Sequence, residues 1–465
     1  MSKTLNPLLG RSAELESLIA LLREADRGEA GGLVLAGDAG VGKTRLLAAL
    51  AEQAERSGMR VLVGHCIDFG GTGLPYLPFT EIFGALDTSE PDVAAELMAG
   101  FPAVGRLRLS QRLMGAEAVE GGAGPLDRVA LFEDVLGALT ALARRRPVLL
   151  VIEDAHWADQ STRDLVGFLL ARLGSAALAV VVSYRSDDLH RRHPLRRVVA
   201  EWVRLPGVSR LHLGPLEAED VRALVRWLHP LPLAERDIGV IVARAEGNPF
   251  FAGELTRATS AGPHDVEGRA DLLPEGLADL LLVRLDQLSE PARHIVGVAA
   301  VAGRRVRHPL LVRVSTLADG ALDDALREAL DANVLEVAGD GGYGFRHALL
   351  AEAVYDDLLP GERVRLHAAY AKALGEAGDL GTATELARHA RASNDLVTAL
   401  RADLQAGAEA MRVAAPEEAK AHYEAALELN ALLPESERAD LVELTALAAA
   451  ASAAAGHSLR ALALG

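Results

Sequence analysis

A glycine-rich stretch near the N-terminus constrains the fold of this chain more than any other feature. Residues 37–44 read GDAGVGKT and match the pattern G-x-x-x-x-G-K-[ST] at every fixed position. An apolar, strand-like run at residues 33–35 precedes this loop, and a helical pattern at residues 45–54 follows it. In that context the glycines let backbone N–H groups turn inward around phosphate oxygens, and the helix N-terminus adds partial positive charge. The stretch therefore predicts a nucleotide phosphate site.

Two residues of this loop are expected to carry most of its chemistry. Lys43 is expected to reach the β and γ phosphates, and Thr44 to hold Mg²⁺. The expected ligands are therefore ATP or ADP together with Mg²⁺. The predicted nucleotide-binding residues of the loop are Gly37, Asp38, Ala39, Gly40, Val41, Gly42, Lys43, Thr44 and Arg45.

An acidic pair ends a second apolar run, as a phosphate loop requires for its metal. Residues 148–152 read VLLVI, which is typical of a strand that is buried on both faces of a parallel sheet. Glu153 and Asp154 follow at the C-terminal end of this run, where open α/β sheets bind their ligands. We predict that one carboxylate holds the metal shell and that its neighbour polarises a water molecule.

A third strand-like run, at residues 178–184, ends in Arg185. An arginine at such a strand tip can neutralise the γ phosphate during catalysis, so Arg185 is a candidate catalytic residue. The alternative is a solvated arginine that pairs with Asp187 or Asp188. The residues alone leave both interpretations open.

The order of strand and helix patterns predicts four parts. Alternating runs over residues 1–215 indicate a parallel α/β nucleotide-binding domain, and residues 216–260 indicate a helical lid. Residues 270–360 show three helices and then two short β runs, as in a winged-helix domain. Residues 361–465 are helical, rich in alanine and similar to tetratricopeptide repeats. Because the last helix carries no polar cap, we expect the chain to be the N-terminal fragment of a longer protein.

Composition limits the class of function. The sequence has 48 Lys and Arg residues and 65 Asp and Glu residues, which gives a net charge of −17. This charge argues against nucleic-acid binding as the main function of residues 1–465. Acidic residues also flank the basic run at residues 304–308, so the winged helix is expected to act within the molecule rather than on DNA. Cys66 is the only cysteine of the sequence, which is typical of a reducing compartment. No signal peptide or membrane-spanning run is evident, so a soluble cytoplasmic protein is expected.

Five segments in this order resemble the ATPase module of STAND regulators and, more closely, the large ATP-binding regulators of the LuxR family. They are LLGRSAELESLIALL, the phosphate loop, LLVIEDAHWADQSTRDLVGFL, ARAEGNPFFAGEL and FRHALLAEAVYDDLLPGERVRLHAAYAKAL. The resemblance implies an AAA+/STAND-like P-loop NTPase that binds ATP or ADP. It also implies a DNA-binding helix-turn-helix beyond residue 465.

The same resemblance implies roles for residues outside the phosphate loop. Gly10 and Arg11 would cover the adenine edge, and Pro249 would pack against the base. His347 would contact the β phosphate of ADP and hold the winged helix closed over the site. Pro249 can also be read as a simple helix stop, and His347 as a partly buried histidine at a helix start. Many relatives carry Asp where this chain has Glu153, which leaves its hydrolysis rate open.

The resulting hypothesis is an ATP/ADP switch with at most slow ATP hydrolysis. ADP would hold the lid and the winged helix closed, and nucleotide exchange would permit self-association. An inducer or a partner protein on the helical repeats would bias this exchange. The alternative is an ATP-driven remodelling machine of the AAA+ type, which usually needs an aromatic pore loop that is not evident between the phosphate loop and Glu153. A small-molecule kinase would need an acceptor-site base and would leave the winged helix and the repeats without a task.

Overall fold

The computed structural model describes residues 8–67, 74–113, 127–174, 176–189, 193–229, 233–260, 285, 288–303, 305–338, 341–345, 348–377 and 380–464.

A five-stranded parallel sheet organises the N-terminal part and confirms the predicted α/β architecture. Its spatial order is β2-β3-β4-β1-β5. The central strands β1, β3 and β4 are buried along their whole length, as expected for strands covered on both faces. Because all strands run in the same direction, their carboxyl ends meet at one edge. The strands are β1 (Gly31–Gly37), β2 (Arg60–His65), β3 (Val148–Glu153), β4 (Leu178–Arg185) and β5 (Val208–Leu213).

Helices cover both faces of this sheet and form two separate cores. Side chains alternate along each strand, so Leu35 and Val151 pack towards one core, whereas Val34 and Ile152 pack towards the other. Three consecutive helices, α3 to α5, follow β2 and enlarge the second core. The helices of this part are α1 (Ser12–Asp26), α2 (Lys43–Arg56), α3 (Leu77–Ser89), α4 (Pro91–Gly100), α5 (Pro102–Leu113), α6 (Arg128–Arg145), α7 (Gln160–Ala171) and α8 (Pro194–Trp202).

The lid consists of α9 (Ala218–Leu228), α10 (Glu235–Ala245) and α11 (Pro249–Ser260), which share a small core of their own. Glu246 and Gly247 adopt left-handed backbone conformations after α10, with φ of 47° and 77°. Pro249 then occupies the first position of α11, where its missing N–H is tolerated. The predicted helix end at this place is confirmed.

The described residues of the third part contain four helices and a small antiparallel sheet around one core. The sheet order is β6-β8-β7. The sequence predicted three helices followed by two strands, and the described residues add α15 after β8 and the two-residue strand β6. The predicted linker begins at residue 259, and from residue 261 it lies outside the described residues. The elements are α12 (Glu290–Ala302), β6 (Arg305–Val306), α13 (His308–Val314), α14 (Asp319–Asp331), β7 (Leu335–Val337), β8 (Tyr343–Phe345) and α15 (Ala348–Asp357).

The C-terminal part is helical, as predicted, and consecutive helices pack against each other. Gly407 lets α18 approach α19 closely, because a Cβ at this position would lie 2.6 Å from the ring of Tyr423. None of the described helices combines the length and the apolar character needed to cross a bilayer. The helices are α16 (Pro360–Glu376), α17 (Ala383–Ala392), α18 (Leu396–Arg412), α19 (Pro416–Leu432), α20 (Leu441–Ala454) and α21 (Ser458–Leu464).

Candidate nucleotide site

The phosphate loop connects β1 to the N-terminus of α2. Gly40 and Gly42 adopt left-handed conformations, with φ of 76° and 104°, that L side chains rarely adopt. A Cβ at Gly40 would also meet the side chain of Asn248 at 2.8 Å. The backbone therefore takes the path that the glycines were predicted to allow, and the residues present fit a bound phosphate group.

The polar atoms of Lys43 and Thr44 contact the phosphate loop and the acidic strand end. The Lys43 Nζ donates to the carbonyl oxygens of Gly37, at 2.7 Å, and of Asp38, at 2.9 Å. Burial lowers the pKa of Lys43. Thr44 Oγ1 donates to Glu153 Oε2 at 3.0 Å, so the acidic strand end and the phosphate loop meet. A hydroxyl and one or two carboxylates, completed by phosphate oxygens, form a donor set that suits Mg²⁺.

Asp154 begins the turn that joins β3 to α7. It is buried and has a φ of 57°, and its backbone N–H donates to Ser183 Oγ on β4 at 3.3 Å. A left-handed conformation at a non-glycine residue costs on the order of 1–3 kcal/mol, although Asp tolerates it better than most residues. The chain then forms a 3₁₀ turn, Ala155–Trp157, and Asp159 caps α7 by accepting from Thr162 N. The acidic pair is therefore coupled to the start of α7.

Arg185 lies buried at the tip of β4 and pairs with two carboxylates. Its NH1 is 3.1 Å from Glu352 Oε1 and 3.6 Å from Asp188 Oδ2. Its guanidinium lies over the ring of Trp157, 5.0 Å from the centroid. The pairing with Asp188, which one of the two interpretations predicted for a solvated arginine, is present, but Arg185 is buried. The contact with Glu352 on α15 was not predicted.

His156 joins the turn after β3 to the tip of β4. Its Nδ1 accepts from the backbone N–H of Arg185 at 3.4 Å. Burial lowers the pKa of His156 to about 3, so the ring is neutral near pH 7 and able to accept this bond. The strand ends that carry Asp154 and Arg185 are thereby held together.

The lid contacts the phosphate loop directly. Asn248 Nδ2 donates to the carbonyl oxygen of Ala39 at 3.0 Å, while its Oδ1 accepts from Phe250 N and Phe251 N at the start of α11. Pro249 Cγ lies 3.7 Å from the position of a Cβ on Gly42. Asn248 was missed by the sequence interpretation, although an asparagine just before a helix is a recognisable N-cap signal.

The segment before α1 joins the phosphate loop to the lid. Arg11 is buried, and its NH2 donates to the carbonyl oxygens of Val41, at 3.2 Å, and of Gly214, at 2.5 Å. Gly10 has a φ of 63° and abuts the carboxylate of Asp220 on α9. Both residues therefore lie at the site, and their contact with adenine stays a prediction.

Residues 7–182 match the family model of the AAA ATPase domain. The N-terminal part of this chain is an AAA ATPase domain. Over 474 aligned residues the chain is 28% identical to an uncharacterized protein of Rhizobium meliloti (strain 1021), across 95% of this chain and 44% of that protein. The chain thus spans less than half the length of this curated relative.

The whole described chain is also similar to a solved structure. That structure is the Signal Transduction ATPase with Numerous Domains (STAND) protein with a tetratricopeptide repeat sensor from Pyrococcus horikoshii. The TM-score is 0.51 at 13% sequence identity, over 99% of this chain and 64% of that chain. At this identity the similarity shows a shared fold, in which the AAA ATPase domain is followed by a helical region.

The AAA ATPase domain brings most of the predicted site residues together. The phosphate loop, Glu153, Asp154 and Arg185 meet at the carboxyl edge of the sheet, and Pro249 approaches them from the lid. Arg45 lies in the first turn of α2. His347 lies outside the described residues, so its proposed phosphate contact stays a prediction. The sequence interpretation missed His156, Asn248 and Glu352 as members of the site.

Proposed function

We propose that this chain is an ATP/ADP switch in which parts beyond the AAA ATPase domain read the state of the nucleotide site. The observation that carries the proposal is the ion pair between Arg185 and Glu352, at 3.1 Å. Arg185 ends a strand of the nucleotide-binding sheet, whereas Glu352 lies on α15, far along the chain. We call this pair the latch.

The latch provides a reason for the two nucleotides to act differently. A γ phosphate near the strand tip attracts the guanidinium of Arg185 and competes with the carboxylate of Glu352. ADP has no γ phosphate, so it leaves the ion pair in place. A ligand shifts a two-state equilibrium only by its differential affinity for the two states, and competition for Arg185 supplies such a difference. Bound Mg²⁺ would neutralise phosphate charge, with Thr44, Glu153 and Asp154 as the residues that hold it.

The C-terminal helices offer a second route to the nucleotide site. Glu418 at the start of α19 is buried against α7, where it accepts from Ser161 N at 3.0 Å and from Ser161 Oγ at 2.6 Å. Tyr76 Oη donates to the carbonyl oxygen of Ala414 at 3.0 Å. Since α7 directly follows the turn that carries Asp154, an inducer or partner protein bound to these helices can bias the nucleotide site. We call the contacts of Ser161 and Tyr76 with the C-terminal helices the dock.

The finer assignment also belongs to this proposal. Residues 270–360 would form a winged helix that acts within the molecule, and residues 361–465 would form repeats of the tetratricopeptide type. The resemblance of five ordered segments to the large ATP-binding regulators of the LuxR family supports a role in transcription regulation. DNA contact would then be made by a helix-turn-helix outside residues 1–465, and release of the latch would permit self-association.

Nucleotide content and self-association test the switch. The purified chain should release stoichiometric ADP on denaturation, detected by chromatography, and Lys43→Ala should carry none. Light scattering should then show association with ATP and not with ADP. Glu352→Gln should associate at an ATP concentration about fivefold lower, since a partly exposed ion pair contributes up to about 1 kcal/mol. Asp357→Asn, at the exposed end of the same helix, is the charge-matched control.

Three results would contradict the proposal. If Glu352→Gln associates at the same ATP concentration as the wild type and as the control Asp357→Asn, the ion pair is not a latch. If ATP and ADP produce the same oligomeric state, the chain does not respond to the γ phosphate. Rapid ATP turnover that is stimulated by a substrate protein would identify a remodelling ATPase instead.

A further inference from the structure

Three hydrogen bonds join residues 186 and 187, just after β4, to residues 37–39 at the start of the phosphate loop. Ser186 N donates to the carbonyl oxygen of Gly37 at 3.2 Å, and Ser186 Oγ donates to Asp38 Oδ1 at 2.8 Å. Asp187 Oδ2 accepts from the backbone N–H of Ala39 at 3.1 Å. The sequence interpretation considered Asp187 only as a partner of Arg185. The structure instead directs the Asp187 carboxylate to the phosphate loop.

This hydrogen bond has the chemistry of a phosphate contact. Phosphate loops hold nucleotides through backbone N–H groups, and a carboxylate oxygen on such a group takes the place that a phosphate oxygen can occupy. Asp187 is also among the negative charges that act on the Lys43 ammonium group, after that of Asp154. The Asp187 carboxylate therefore lies within the electrostatic range of bound phosphates.

We propose that Asp187 is a specificity-determining residue that favours ADP over ATP at this site. ATP brings one more phosphate group and about one more negative charge than ADP, so a carboxylate on the phosphate loop repels ATP more strongly. Asp187 is exposed and its side chain has one hydrogen bond among the described residues, so it can move aside when ATP is abundant. The proposal rests on the nucleotide site of the proposed function and does not require the latch.

Nucleotide selectivity tests this role without any measurement of turnover. Fluorescent ADP and ATP analogues would be titrated into the full chain with Mg²⁺, for the wild type, Asp187→Asn and Asp187→Ala. Asn keeps an oxygen that can accept from Ala39 N and removes the charge. We expect both variants to bind the ATP analogue about threefold to tenfold more tightly, with a smaller gain for ADP. The gain should shrink at high salt, because screening weakens the repulsion.

Two further variants make the result interpretable. Glu16→Gln removes one charge from the exposed face of α1, where Glu16 is 63% exposed, and should leave the ratio of ATP to ADP affinity unchanged. Lys43→Ala should abolish binding of both analogues. Equal changes in both affinities for Asp187→Asn would overturn the proposal and show a structural role. Weaker ATP binding would overturn it by placing Asp187 among the residues that support the triphosphate. If the wild type binds neither analogue, the nucleotide site itself is wrong.

Discussion

Removal of the Glu418 carboxylate should open the dock between the C-terminal helices and the AAA ATPase domain. Glu418→Ala removes two hydrogen bonds to a charged group and leaves two buried polar groups of Ser161 without this acceptor. Each such bond stabilises the docked state by about 1.5–3 kcal/mol. The substitution also removes the repulsion between Glu418 and buried Asp159, which offsets part of this loss of stability. We therefore expect the docked state to lose about 2–3 kcal/mol, roughly a 30- to 150-fold change in its equilibrium.

Hydrogen exchange at the start of α7 measures this equilibrium directly. The amide of Ser161 is bonded to Glu418 in the docked state, so its exchange reports the opening of the dock. Exchange in this turn should accelerate by about the same factor in Glu418→Ala. The control is Glu417→Ala, because Glu417 contacts Lys420 and His457 within the C-terminal helices.

The pattern across variants decides the interpretation. Glu418→Gln keeps one acceptor oxygen and loses the charge, so its exchange should accelerate by less than about tenfold. Unchanged exchange in Glu418→Ala would refute the dock, provided that the variant is folded by circular dichroism. Equal acceleration in Glu417→Ala would also refute it, because the effect would then reflect general destabilisation of the C-terminal helices.

Three more predictions concern the site and the buried histidines. Glu153→Gln should slow any ATP hydrolysis by at least about a hundredfold, measured as phosphate release, while retaining ADP; unchanged release would exclude a catalytic role for Glu153. Asn248→Ser keeps a helix cap, but the serine side chain is too short to reach Ala39. The lid of Asn248→Ser should therefore be as sensitive to protease as the lid of Asn248→Ala. Protease resistance of Asn248→Ser equal to that of the wild type would contradict the lid contact. Burial lowers the pKa of His389 well below its ordinary value, so the unfolded chain binds more protons below about pH 6.5 and stability falls as pH decreases. His389→Asn should therefore reduce the slope of unfolding free energy against pH between pH 6.5 and 5 by up to about 1.4 kcal/mol per pH unit. Unfolding free energies from urea denaturation that change equally with pH in the variant and the wild type would contradict this reasoning.

Local chemistry explains which parts of the site were predictable from the sequence. The phosphate loop requires glycines within a few positions, and the run at residues 148–152 is long and uniformly apolar. Parallel strands then bring Glu153 and Arg185 to one edge of the sheet, so their proximity follows from the predicted topology. Strand β6 was missed because two residues are too few to show a period of alternation.

The contacts that join the parts of the molecule had no such local signal. Arg185 and Glu352 are 167 positions apart, and Ser161 and Glu418 are 257 positions apart. A glutamate on a helix is ordinary in sequence, and only the tertiary fold brings Glu352 to the tip of β4 and Glu418 to the start of α7. Asn248 is intermediate, since its capping role was readable whereas its contact with the phosphate loop was not.

The chemistry of the dock suits a contact that opens, as the proposed switch requires. Burial, and after it the negative charge of Glu418, raises the pKa of Asp159, so docking places Glu418 beside a carboxyl group whose charged form is disfavoured. Hydrogen bonds from Thr162, and the nearby charge of Arg163, offset this effect on Asp159 only in part. An apolar surface of the same size would hold more firmly, because buried ionic groups often contribute little net stability. In the proposed switch, this electrostatic cost would keep the free energy of docking small enough for a ligand on the C-terminal helices to reverse it.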